Sequence, residues 1–274
     1  KNILSCNLFL LLFILRFMKR GTKLISRIVA GGILREYRQA KKRIVFLDYD
    51  GTLVPFFDTP DMAVPSPEVL DLINRLRRKN KVILISGRDR ITLGKWFGRS
   101  KIVLSAEHGA WLRNKSGRWK RTRSISRAWK KKIISIMAKR VKELSGSFVE
   151  EKDYSVAWHY RVSPPRRAAV VRKALLKDLV DFDSGDGSNL SIIKGNKVIE
   201  VRSMAVDKGS IVRDILGSGN YDFILCMGDD ATDEDMFRVL ERKGISVKVG
   251  TGSTKAKYYL RSQRDVLSFL SKLA

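Results

Sequence analysis

Short, unbroken apolar runs that end in polar clusters constrain this chain more than any other feature. Residues 44–47, 82–85, 102–104 and 223–227 are each continuously apolar. A strand with one wet face alternates in polarity, whereas an unbroken run fits a strand covered on both faces. The first run leads into Asp48-Tyr49-Asp50-Gly51-Thr52 and the second into Ser86-Gly87-Arg88. Glu107-His108-Gly109 follows the third, and Gly228-Asp229-Asp230 the fourth. Stretches with helical spacing lie between them. One is residues 65–79, with Val69, Leu72, Ile73 and Leu76 on one face and Ser66-Pro67 at its start. Others follow at 233–242 and, after a fifth run at 245–249, at 262–272. The pattern predicts an α/β fold with a Rossmann-like parallel-sheet core, whose strand carboxyl ends gather the ligand-binding residues.

Residues 110–201 break this rhythm. Period-two alternation dominates at 148–152, 155–161, 191–193 and 197–201, with a hairpin turn at Gly195-Asn196 between the last two. Helical stretches are expected at 126–144 and 166–179. An α+β unit with an antiparallel sheet is therefore predicted, inserted as a cap into the parallel-sheet core. The expected division is a leader and linker helix at 1–40, the core at 41–109 and 202–274, and the cap at 110–201.

Charge raises a different expectation, a polyanion partner, because 55 Lys and Arg face 28 Asp and Glu for a net charge of +27. The excess is uneven. Residues 1–43 carry +10 and residues 110–142 carry +13, which leaves the rest of the chain near neutral. In 127–142 the apolar positions Ile133, Ile134, Met137 and Val141 recur at helical spacing, so the basic residues read as the solvated face of a helix. No nucleic-acid partner is expected. Residues 3–18 are largely apolar, but as a helix they would span only about 24 Å against a bilayer core of about 30 Å. Membrane contact there is not favoured. Cys6 and Cys226 are too few for a disulfide scaffold, and with only His108 and His159 no zinc spacing exists. A reducing, cytoplasmic location is expected.

The polar clusters propose chemistry. If the chain turns at Gly51, Asp48 and Asp50 can face one pocket, one carboxylate attacking an electrophile while the other moves protons. Ser86-Gly87-Arg88 offers a hydroxyl, amides and a guanidinium, a set that holds phosphate. Lys208 opens a predicted helix and can neutralise a carboxylate and a phosphoryl oxygen. Acids at two strand ends, 48–50 and 229–233, repel one another unless a cation lies between them, and hard oxygen ligands favour Mg²⁺.

Nucleophile, hydroxyl, lysine and acids follow in the order of the haloacid dehalogenase-like phosphatases, and residues 40–274 resemble that superfamily. The resemblance implies Asp48 as the nucleophile that forms an aspartyl-phosphate, and Asp50 as the acid and base. Ser86 and Lys208 would hold the phosphoryl group. Mg²⁺ would be bound by Asp48, the Asp50 carbonyl and Asp229, with Asp233 in support. Within the superfamily the sequence is most similar to the trehalose-6-phosphate phosphatases. That similarity is carried by Leu47 to Leu53, Ile85 to Arg88, Glu107-His108-Gly109-Ala110, Glu150-x-Lys152, His159-Tyr160-Arg161, Val198-Ile199-Glu200 and residues 228–234. It implies an enzyme that releases trehalose and phosphate from trehalose 6-phosphate, binding the sugar phosphate with Arg88, His108, Glu150, Lys152, Arg161 and Glu200. Carboxylates beside an amine suit a substrate rich in hydroxyls. Such phosphatases are often fused to a trehalose-phosphate synthase. Residues 32–43 look like the linker helix of such a fusion, and a chain opening on Lys1 fits a trimmed one. The alternatives are another capped sugar phosphatase, acting on sucrose phosphate or mannosyl-phosphoglycerate, and a catalytically silent domain that regulates a synthase.

Overall fold

A computed structural model describes residues 22–186 and 189–274 of the chain. The apolar stretch 3–18 and Cys6 lie outside the described residues. The chain first builds β1 (Lys23–Leu24), β2 (Arg43–Leu47), β3 (Lys81–Ile85), β4 (Val103–Ala106), β5 (Trp111–Arg113) and β6 (Trp119–Arg121). It then builds β7 (Phe148–Glu151), β8 (Ser155–His159), β9 (Leu190–Gly195) and β10 (Val198–Ser203), and returns through β11 (Phe223–Gly228), β12 (Ile245–Val249) and β13 (Tyr258–Leu260). Two sheets result, one in the order β1-β13-β12-β11-β2-β3-β4-β5-β6 and one in the order β7-β8-β10-β9.

From β1 to β4 the larger sheet is parallel. Its helices are α1 (Arg27–Gln39), α2 (Pro67–Lys79) and α3 (Arg90–Phe97) before the cap. The cap contributes α4 (Lys130–Glu143) and α5 (Pro165–Asp186), and α6 (Lys208–Gly217), α7 (Glu234–Val239) and α8 (Gln263–Ser271) follow it. The apolar runs are covered on both faces. Val45, Leu47, Val82 and Leu84 pack with α1, α2 and α8, while Ile44, Phe46, Ile83 and Ile85 pack with α6 and α7. Helix α2 shows how the sequence sets its ends. Ser66 caps the Val69 amide, Pro67 occupies the first turn, and Arg77, Arg78 and Lys79 lie where the dipole is negative. Among the described residues no helix is long and apolar enough to cross a membrane.

The smaller sheet is antiparallel and is backed by α4 and α5. Ile133 and Met137 of α4 and Val171, Leu175 and Leu179 of α5 pack on Val156, Trp158, Ile199 and Val201 of the sheet. Its hairpin turn falls one residue later than expected. Gly195 pairs with Val198, so the turn is Asn196-Lys197, and Lys197 takes a left-handed φ of 60°.

Three expectations are corrected. Residues 111–121, assigned to the front of the cap, extend the core sheet instead, with β5 antiparallel to β4 and β6 to β5. Trp111 and Trp119 pack against the core cluster, which holds this basic hairpin on the core sheet. The antiparallel pairing of β10 runs two residues past the expected end of the cap, to Ser203. Helix α1 is more than a linker, because Ala30, Ile33 and Tyr37 are buried in the core and the Tyr37 hydroxyl donates to the Leu273 carbonyl at 2.6 Å.

Candidate active site

The motif loop after β2 turns as its sequence demands. The Tyr49 carbonyl accepts from the amides of Thr52, Leu53 and Val54, and Gly51 adopts a φ of +84°. A Cβ at Gly51 would meet the Asp229 carboxylate at 2.3 Å, so only glycine lets the two acidic loops approach. Asp48 and Asp50 both line the cavity between the two sheets, as expected, together with Ser86, Arg88 and Lys208. From above, His108, Glu150, Lys152, Arg161 and Glu200 complete the wall.

Lys208, at the first turn of α6, is 2% exposed. Its ammonium donates to Asp48 Oδ1 at 2.7 Å and to Asp233 Oδ1 at 2.8 Å. Burial works against its charge, but Asp233 and Asp48 outweigh that and hold it well above the usual lysine range. One ammonium does not balance the acids. Burial, with Asp233, Asp229 and Asp230 nearby, holds Asp48 well above the usual carboxylate range despite Lys208. Burial and the same neighbours push Asp229 up to about 7. Asp48, Asp229 and Asp233 each bring a carboxylate oxygen to within 4.8 Å of the others. A buried surplus of hard anionic oxygens is a donor set that fits a divalent cation such as Mg²⁺. Asp233 has a second duty, because its Oδ2 accepts from the amides of Asp229 and Asp230 at 2.8 and 2.9 Å. With Lys208 on Oδ1, it shapes the loop that carries Asp229.

Asp50 is paired rather than open. Arg88 donates from Nε to Oδ2 at 2.8 Å and from a terminal nitrogen to Oδ1 at 2.6 Å, a bidentate clasp. The same guanidinium donates to the Pro60 carbonyl at 2.6 Å and stacks over Trp96. Ser86 is buried, and its hydroxyl accepts from the Arg88 amide at 3.1 Å.

The cap side follows from strand register. Glu150 pairs with Ala157, and Ala157 with Glu200, so the three share one face, with the small alanine between two carboxylates. Lys152 donates to Glu200 Oε1 at 3.1 Å and to the Gly87 carbonyl at 3.0 Å. His108 Nε2 lies 3.0 Å from Glu200 Oε2, and His159 Nε2 lies 2.8 Å from Glu150 Oε2. Burial opposes the charge of Glu200, yet Lys152 and His108 outweigh it and hold the carboxyl well below its usual range. Glu150 is lowered in the same way, with Lys152 and His159 outweighing its burial. Arg161 sits at the mouth, donating to the Asn196 carbonyl at 2.6 Å and lying over the exposed Phe56 ring.

Several residues of the site were not singled out from sequence. Asp230 and the loop Phe56 to Pro60 line the cavity. His159, quoted only as part of a pattern, also lines it. The Lys248 ammonium donates to the Asp229 carbonyl. The loop after the first motif was the available signal for Phe56, since nothing apolar demands its exposure. Lys248 gave none, lying in a strand that reads as core.

A parallel sheet with acids at its strand ends and a second sheet folded over them is the class of fold this chain shares with a solved haloacid dehalogenase-like hydrolase from Bacteroides thetaiotaomicron, at a TM-score of 0.56 and 13% identity. The chain belongs to the trehalose-phosphatase family, whose model matches residues 46–264. It is 36% identical over 260 residues to the bifunctional trehalose-6-phosphate synthase/phosphatase of Thermoproteus tenax, covering 93% of this chain and 35% of that protein. It is 38% identical over 264 residues to the trehalose-phosphatase of Schizosaccharomyces pombe, covering 88% and 32%. The chain thus spans about a third of the length of the curated relatives it matches. The C-terminal domain of trehalose-6-phosphate phosphatase from C. albicans superposes with a TM-score of 0.85 at 30% identity, covering 92% of this chain and 97% of that one.

Proposed function

We propose that the protein is a Mg²⁺-dependent phosphatase that hydrolyses trehalose 6-phosphate to trehalose and phosphate through an aspartyl-phosphate. The observation that carries the chemistry is Asp48 at the floor of the cavity, held by Lys208 at 2.7 Å and ringed by surplus acids. Asp48, Asp229 and the Asp50 carbonyl are the groups proposed to hold Mg²⁺, which when bound would neutralise Asp48 and the phosphate so that two anions can meet.

Asp48 attacks phosphorus in line with the sugar oxygen. A bond forms from Asp48 to phosphorus, the bond from phosphorus to the sugar oxygen breaks, and Asp50 delivers a proton to the departing alkoxide. Asp50 then takes a proton from water, which attacks phosphorus, breaks the acyl-phosphate bond and restores Asp48. Both Asp50 oxygens are engaged by Arg88, so this proton traffic requires the clasp to open on one side. Ser86, Lys208 and the 86–88 loop hold the phosphoryl oxygens. Above them Glu150, Lys152 and Glu200 meet the sugar, with Arg161 and His108 at its edges.

The names of the relatives support the substrate, since three curated relatives from yeasts are called trehalose-phosphatase. The Thermoproteus tenax relative unites synthase and phosphatase, and we propose that this chain likewise works beside a trehalose-phosphate synthase, fused or separate. Phosphate release over a panel of trehalose 6-phosphate, sucrose 6-phosphate, mannosyl-phosphoglycerate and glucose 6-phosphate tests the reading. Trehalose 6-phosphate should be turned over best, and equal or better turnover of another member would overturn it.

A further inference from the structure

One buried carboxylate beside this site takes no part in the chemistry above. Glu107 follows β4, is 2% exposed and does not line the cavity. Its backbone is strained. Glu107, His108 and Gly109 are left-handed in succession, with φ of 48°, 54° and 113°. Two successive side-chain-bearing residues rarely adopt this region, and such strain persists only where surrounding contacts enforce it.

The enforcing contacts join the phosphate loop and the cap. On the core side, the Glu107 amide donates to the Arg88 carbonyl at 2.9 Å and the His108 amide to the Ser86 carbonyl at 3.0 Å. On the cap side, Glu107 Oε2 accepts from the Tyr154 amide at 2.6 Å and Oε1 from the Asp153 amide at 3.3 Å. These amides belong to the turn between β7 and β8, which begins at Lys152. Lys130 clamps the same turn from within the cap, its buried ammonium donating to the carbonyls of Lys152 and Asp153. Arg90 from the core adds an ion pair to Asp153 at 2.9 Å. The turn is therefore gripped by its carbonyls from the cap and by its amides from the core.

We propose that Glu107 is a positioning residue for sugar recognition, a core carboxylate that docks the cap turn so that Lys152 projects between Glu200 and the phosphate loop. The inference rests on the reading of the cavity as a sugar-phosphate site. Glu107 touches neither substrate nor reacting atoms. Its left-handed backbone aims the carboxylate at the cap while holding His108 against Gly87, where an added Cβ would meet His108 Nε2 at 2.6 Å. The carboxylate matches two N–H donors with two acceptors. Glutamine keeps the shape but turns a donor toward one amide, and aspartate shortens the reach.

The test compares Glu107→Gln with the parent on trehalose 6-phosphate and on p-nitrophenyl phosphate, a small aryl phosphate that needs the core groups but not the cap. We expect kcat/KM for the sugar phosphate to fall about ten-fold or more, mainly through KM, with aryl phosphate turnover within about two-fold. Parallel losses on both substrates, or no loss on either, would overturn the proposal. Amide hydrogen exchange in the unaltered protein is the second measurement and decides the matter if the variant does not fold. Asp153 and Tyr154 should exchange as slowly as the β4 amides, and exchange at loop rates would overturn it. If the parent hydrolyses the aryl phosphate but not trehalose 6-phosphate, the substrate reading fails, and the exchange measurement still judges Glu107.

Discussion

Two clusters of buried charge face each other across the cavity, and they are balanced in opposite ways. On the core floor Asp48, Asp229, Asp230 and Asp233 crowd around Lys208, and burial with mutual repulsion raises Asp48, Asp229 and Asp233. On the cap roof Glu150 and Glu200 share Lys152 and two histidines, and both carboxyls fall below their usual range. The floor lacks positive charge and gains from a cation. On the roof Lys152 and the histidines hold both carboxyls low, so it can exchange hydrogen bonds with hydroxyls without calling for an ion. On the proposed function these opposite pKa directions over so short a span would set chemistry apart from recognition.

The largest expected effect breaks the floor alone. Asp48→Asn removes the proposed nucleophile, and turnover of every phosphate ester should fall at least about 10³-fold with the fold intact. Activity that survives this change would remove the covalent mechanism.

Next comes the cation. Asp229 is raised from 3.8 to about 7 in the folded protein, so in the metal-free state its contribution to stability is lost as pH rises between those values. Mg²⁺ bound as proposed would take the ionised form and offset that loss. The rise in Tm on adding Mg²⁺ should therefore be larger at pH 8 than at pH 5, and chelation should abolish turnover. Calorimetric scans at the two pH values check this, and an equal rise at both would argue against Asp229 as a ligand.

Salt should have the smallest effect. Basic residues of β5, β6 and α4 carry much of the chain's positive charge, and a phosphorylated substrate is an anion, so raising ionic strength should lower kcat/KM a few-fold while kcat changes less. Initial rates over a salt series check it, and equal effects on both constants would remove any steering by this surface.

The floor was far more legible in the sequence than the join between floor and roof. The proposed nucleophile, phosphate-holding hydroxyl and ligand acids sit where apolar strands end, so Asp48, Ser86 and Asp229 could be picked out from local pattern. Glu150 and Glu200 came from the resemblance of the cap motifs to the trehalose-6-phosphate phosphatases, and the strand register puts them on one face of the cap sheet. Glu107 could not be found in that way. Its partners are backbone amides 46 and 47 residues away, and backbone groups leave no trace in side-chain pattern. The clasp of Arg88 on Asp50 is hidden for the same reason, since two residues assigned separate tasks meet only when β2 and β3 pair. The β5–β6 hairpin lies where the parallel rhythm stops, and its antiparallel pairing with β4 leaves no mark in that rhythm.

The most direct test of the division between floor and roof is a single ratio, kcat/KM for trehalose 6-phosphate over that for p-nitrophenyl phosphate, in Glu150→Gln against the parent. Among the described residues the Glu150 carboxylate meets His159 and Lys152, both roof groups. The ratio should fall about ten-fold or more while the aryl phosphate rate stays within about two-fold. An unchanged ratio, whether both rates fall together or neither moves, would contradict a roof that reads the sugar and a floor that does the chemistry.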